Sequence, residues 1–123
     1  MKYLSVVARI SLAYDLVIGV AMLAATNTVA ALFHVPAPQP MLFAKLLGIF
    51  LICVGLGYLP AVRDPRAYRQ YLWIFGPLLK GVGATAFILD YALNGAPASF
   101  LLFAAGDGTL AVATWWGLTR LSR

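Results

Sequence analysis

Four long apolar runs, set apart by short stretches rich in proline, glycine or charge, dominate the chain; they cover residues 4–25, 41–59, 71–91 and 100–119. Each run approaches or exceeds the ~20 residues an α-helix needs to cross a ~30 Å hydrocarbon layer. Pro36, Pro38 and Pro40 break any helix between the first two runs, because proline lacks an N–H and clashes with the preceding turn. Pro60 and Pro65 are expected to close the second run, and Asn94-Gly95 with Pro97 turn the chain between the third and fourth. A single-chain barrel needs about eight strands of alternating polarity, whereas these runs are continuous. The pattern predicts an all-α fold, a four-transmembrane-helix bundle forming one integral membrane domain over residues 1–123. Thr26-Asn27-Thr28 interrupts an apolar stretch that resumes at Val29 and ends at Phe33. Three adjacent polar residues mark a bend where water reaches the backbone, so a short outer interfacial helix is expected after the first span. Arg9 and Asp15 interrupt the apolar core that a cleaved signal peptide would need.

Composition fixes the solvent. Apolar residues make up 63% of the 123 and charged residues 11%, against roughly 25% charge in a soluble domain. A soluble enzyme, a disordered tail and a disulfide scaffold are thereby excluded. The net charge is +5, yet the cations punctuate apolar runs and do not line one wet face, so the expected partner is the lipid bilayer and not nucleic acid. Their placement also predicts orientation. Arg63, Arg66 and Arg69 crowd the second loop against one acid, Asp64, while Lys2 and Arg9 precede it and Arg120 and Arg123 end the chain. All of these fall on one side of a four-span topology, and residues 26–40 and 92–99 on the other side contain no lysine or arginine. The positive-inside rule then predicts a multi-pass plasma-membrane protein with both termini cytoplasmic. Tyr58, Tyr68, Tyr71, Trp73, Trp115 and Trp116 fall near that face, and Phe33, Tyr91 and Phe100 near the other, as an interfacial aromatic belt. Arg63, Arg66 and Arg69 are also placed to meet anionic lipid headgroups.

Five charges resist this scheme: Asp15, Lys45, Lys80, Asp90 and Asp107. At 1.5 Å per residue, Lys80 is roughly 14 Å in from Tyr71, Asp15 roughly 17 Å in from Leu4, and Asp107 lies at comparable depth. A charge at the bilayer centre costs at least ~2.5–3.5 kcal/mol, which favours pairing within the bundle: Lys80 with Asp107 or Asp15, and Lys45 with Asp107 or Asp90. Helical spacing supports an inward-facing network. Gly76, Lys80, Gly83, Phe87 and Asp90 share one stripe of the third helix, and Ala8, Ser11, Asp15, Gly19 and Met22 one stripe of the first. Lys45, Gly48, Ile52 and Gly55 align on the second, and Ala104, Asp107, Ala111 and Thr114 on the fourth. Small residues accompany the charges, and small residues let membrane helices approach closely. Such a network serves either to fix helix packing or to handle protons, ions or a polar headgroup.

Other chemistry is sparse. His34 is the one histidine and Cys53 the one cysteine, so no metal site, haem bis-ligand or intramolecular disulfide is expected. Gly55-Leu56-Gly57-Tyr58 lacks the strand–turn–helix context of a nucleotide loop and is read as packing. No Ser-His-Asp or paired-carboxylate arrangement is present, so no catalytic residue, cofactor or autonomous enzyme activity is assigned. An inverted repeat is not detectable.

These marks together are an acid in the first helix, Lys45 with Gly48 and Gly55-Leu56-Gly57-Tyr58 in the second, Arg63-Asp64-Pro65, Lys80 in the third, and Gly106-Asp107 in the fourth. In layout the chain resembles small bacterial four-helix membrane proteins of the DoxX-like kind. The resemblance implies a membrane subunit, since some members are linked to quinone-coupled sulfur oxidation. The expected role is an accessory or structural subunit of a membrane assembly, as a homo-oligomer or within a larger complex. The alternatives are a small oligomeric transporter using the buried Asp and Lys residues, and a quinone-linked redox subunit.

Overall fold

The computed structural model describes residues 2–36 and 40–121. Pro38 and Arg123, used above to predict a helix break and a charge bias, lie outside the described residues. The fold is all-helical, with no strand among the described residues. Helix α1 spans Lys2–Ala24, α2 Thr26–Leu32 and α3 Met41–Arg63. Helix α4, Arg69–Trp73, runs through a π-helical turn at Ile74–Leu78 into α5, Leu79–Asn94. A 3-10 turn at Ala98–Phe100 leads into α6, Leu101–Leu121. Among the described residues, four stretches are long and apolar enough to cross a membrane: Lys2–Ala24, Met41–Arg63, Arg69–Asn94 and Ala98–Leu121. Their outer faces carry Val17, Leu42, Val82, Leu102 and Val112 exposed, side chains suited to contact with lipid.

The break after α1 falls where Thr26-Asn27-Thr28 predicts it. Ala25 leaves helical geometry (φ −136°, ψ 44°), and the Thr26 hydroxyl donates to the Met22 carbonyl. Helix α2 stops at His34, whose φ of 58° is left-handed. His34 N–H donates to Ala31 O at 3.1 Å and Val35 N–H to Ala30 O at 3.0 Å, the pairing of a Schellman stop. The second span differs from expectation at its end. Pro60 lies inside α3, which continues to Arg63. A proline forfeits one N–H bond, but the chain beyond it keeps helical register, with Asp64 N–H donating to Pro60 O at 2.9 Å.

Helix α1 packs along α3, α5 packs along α6, and α1 meets α6, so the spans follow one another in an arc α3–α1–α6–α5. The two halves of this arc differ. At the end carrying the chain termini, Leu4, Ala8, Val54, Tyr58, Ala61, Leu72 and Leu118 form a closed core, with α4 resting on both α3 and α6. Toward the opposite end the arc encloses a cavity.

Candidate functional site

The cavity measures about 660 Å³, within the ~300–1,000 Å³ typical of small-molecule sites. Its walls are largely apolar. Ile18 and Met22 of α1, Leu47 and Leu51 of α3, and Leu79 of α5 face it. Phe33, Phe87, Phe100 and Phe103 form an aromatic cluster on the same cavity, with Phe33 stacked on Phe103 at 4.7 Å and Phe87 on Phe103 at 5.5 Å between ring centroids. The Ser99 hydroxyl donates to Phe33 O at 2.7 Å and ties the chain after α2 to the start of α6. Its ionisable side chains are Tyr14, Asp15, Lys80 and Asp107.

Asp15 and Lys80 form the one salt bridge among the described residues, 2.8 Å between Nζ and Oδ2, with each side chain 3% exposed. The ammonium has two further acceptors, Phe75 O at 3.4 Å and the Tyr58 hydroxyl at 3.5 Å. Tyr58, fully buried, donates its own proton to Phe75 O at 2.9 Å. The availability of that carbonyl follows from Pro77. Proline cannot donate within the helix, and the strand of bonds shifts to π register, with Leu79 N–H donating to Ile74 O and Gly76 O. Phe75 O, the ordinary i−4 partner of Leu79, accepts instead from the side chains of Tyr58 and Lys80. A π turn at a site is a frequent device for presenting backbone groups to side chains. The Tyr71 hydroxyl donates to Val54 O beside this cluster, and Tyr71 meets Tyr58 edge-on at 5.1 Å.

Asp107 stands apart from the pair. It is partly exposed toward the cavity and interacts with the Tyr14 hydroxyl. Gly83 sits opposite, where a Cβ would lie 3.7 Å from Asp107 Oδ2 with nothing closer. Neither Lys80 nor Asp15 makes an ion pair or hydrogen bond to Asp107.

Two members of the expected network are elsewhere. Lys45 is exposed on α3 and pairs with neither Asp107 nor Asp90. Asp90 is exposed near the end of α5 and accepts from Asn94 Nδ2 at 2.9 Å. Both sit close to the helix ends, where the arc has opened and a charged head reaches the polar boundary without a buried partner. The expected lattice is therefore one buried pair with Asp107 nearby. Arg63, Arg66 and Arg69 are all exposed around the turn between α3 and α4. Asp64 there accepts from Ala67 N–H at 3.2 Å. Cys53 is exposed on α3, facing away from the core.

Tyr58 and Tyr71 differ from the belt role read for them, since both serve the interior. A signal for Tyr58 exists: the stripe Lys45, Gly48, Ile52, Gly55 continues to position 58 on the same face. Tyr14 carries no comparable signal. Trp115 and Trp116 do lie exposed, with Arg120 over the Trp116 ring at 4.5 Å and Tyr3 edge-on to it at 4.9 Å.

No family model matches the chain, and no curated protein or solved structure matches it. Its class rests on its own geometry: a helical bundle with four spans of membrane-crossing length, closed at the terminal end, and holding a cavity that ends on a buried ion pair.

Proposed function

We propose that this chain is a small multi-pass subunit of a bacterial inner membrane whose own contribution is to hold a predominantly apolar molecule, drawn laterally from the bilayer. The single observation that carries this reading is the cavity of about 660 Å³ lined by aromatic and aliphatic side chains and ending on Asp15, Lys80 and Asp107. Sites of this kind combine an apolar wall with a few convergent polar groups that fix orientation. A pair kept only for packing would not need an approach from outside. Both termini face the cytoplasm in this reading, supported by Arg63, Arg66, Arg69 and Arg120 at one end, and those arginines meet anionic headgroups. In this reading the chain is an accessory subunit of a homo-oligomer or larger assembly.

A second reading, transport, is favoured by three ionisable groups at cavity depth. It requires the closed end formed by Leu4, Tyr58, Leu72 and Leu118 to open. The test of the first reading is extraction into native lipid particles followed by mass spectrometry of small molecules and partners. A stoichiometric apolar compound that is lost in Gly83→Leu supports binding. Identical compound profiles in the natural protein and the variant contradict it.

A further inference from the structure

The charge balance of the cavity floor, which is the site of the binding role just proposed, points to the class of molecule it takes. Two carboxylates, Asp15 and Asp107, face one ammonium, Lys80. The ammonium is committed: it lies 2.8 Å from Asp15, with Phe75 O and the Tyr58 hydroxyl as its other acceptors, and is 3% exposed. Asp107 therefore has no ion-pair partner among the described residues, and it lines the cavity partly exposed where Asp15 and Lys80 are buried. Lys45 does not supply the missing charge, because it is exposed on α3. Around Asp107 the walls offer no further cation; they offer the faces and edges of Phe33, Phe87, Phe100 and Phe103. Aromatic faces attract cations, most strongly when water is excluded, and a carboxylate in an apolar setting gains from a counter-charge. Gly83 leaves room directly over Asp107.

We propose that the cavity binds a lipophilic cation, an apolar body bearing one positive charge, with Asp107 as its counter-ion and the phenylalanine cluster around its apolar part. Resting on the binding role above, this inference adds the sign of the ligand. Lys80 would repel a ligand cation, but its charge is matched by Asp15 at contact distance, so the unmatched charge near the ligand is that of Asp107. An anionic ligand meets the opposite situation and is rejected.

The test uses two probes of the same shape and opposite charge, tetraphenylphosphonium and tetraphenylborate, with the full-length protein in zwitterionic nanodiscs and empty discs as background. Equilibrium dialysis is expected to show a saturable, one-to-one component for the cation alone. Asp107→Asn is expected to weaken it at least tenfold, while Asp90→Asn, the same charge change at an exposed site, leaves it intact. Saturable binding of the anion equal to or tighter than that of the cation overturns the inference, and this comparison on the natural protein stands even where Asp107→Asn does not fold. Unchanged cation affinity in a folded Asp107→Asn protein overturns it as well. Diphenylhexatriene, a neutral probe, separates this from the wider reading. If it binds saturably and Gly83→Leu abolishes that binding, while the cation shows no preference, the cavity binds ligands and only the charge assignment fails. If no probe binds saturably, the binding role itself fails.

Discussion

Gly19 and Gly48 meet backbone to backbone where α1 crosses α3: a Cβ on Gly19 would lie 2.7 Å from Gly48 O, and a Cβ on Gly48 would lie 2.7 Å from Gly19 O. The nearest atom at each position is a backbone oxygen, which cannot rotate away as a side chain can, so a methyl group at either must push the two helices apart. Overpacking of this sort costs about 1–3 kcal/mol. Gly19→Ala and Gly48→Ala are each expected to lose stability in that range, measured by unfolding in detergent micelles. Gly81→Ala is the control, since its Cβ would meet only Ala111 Cβ at 3.8 Å, and it should be close to neutral.

The Asp15–Lys80 pair makes an asymmetric prediction. Removing one partner leaves the other buried and uncompensated, which costs about 3–5 kcal/mol, whereas replacing both with apolar residues of similar size is often near neutral. Lys80→Met alone should destabilise strongly, and Asp15→Leu with Lys80→Met should recover most of the loss. Lys80→Met combined with Asp107→Asn should recover much less, because Asp15 would remain unpaired. Unfolding curves for the three variants decide this, and an equal loss in all three would show that the pair carries no special coupling.

His34 holds a left-handed conformation at φ 58°, which costs a residue with a Cβ roughly 1–2 kcal/mol. Glycine removes that cost but adds freedom to the unfolded chain, worth about 0.4–1 kcal/mol. His34→Gly is therefore expected to stabilise the protein by about 0–1.6 kcal/mol, as a rise in melting temperature. The same substitution tests whether the imidazole has any role beyond ending α2, since ligand binding should not change.

Orientation can be checked chemically. In a Cys53→Ala background, a cysteine at Ala67 should be labelled by a membrane-impermeant maleimide only after inner-membrane vesicles are everted. A cysteine at Asn94 should be labelled from the outside of intact spheroplasts. The reverse labelling pattern would contradict cytoplasmic termini.

The number of spans was readable in the chain because an apolar run of sufficient length has few alternatives in lipid. Asp15 and Lys80 could be placed inward because glycine, alanine and serine recur at helical spacing beside them. The same logic failed at Lys45 and Asp90, since a stripe gives direction around an axis but not whether neighbouring helices have separated at that height. Pro60 was expected to end α3, yet one missing N–H did not stop a helix held by its packing on α1. Pro77 changed the register of a helix, an effect that depends on which carbonyl the surroundings can use, here Phe75 O with Tyr58 and Lys80. The cavity left no mark in any single segment, because it arises from the way α3 and α5 diverge across the arc.

The central claim is that the buried charges are turned toward one another beneath a cavity reached from the membrane. Solid-state NMR on the protein in bilayers tests it most directly, through the dipolar coupling between 15N at Lys80 Nζ and 13C at Asp15 Cγ. The account predicts strong dephasing, the signature of the contact at 2.8 Å between Nζ and Oδ2, and its disappearance in Asp15→Asn. Absence of that coupling in the natural protein, with Lys80 instead coupled to lipid phosphate, would contradict it.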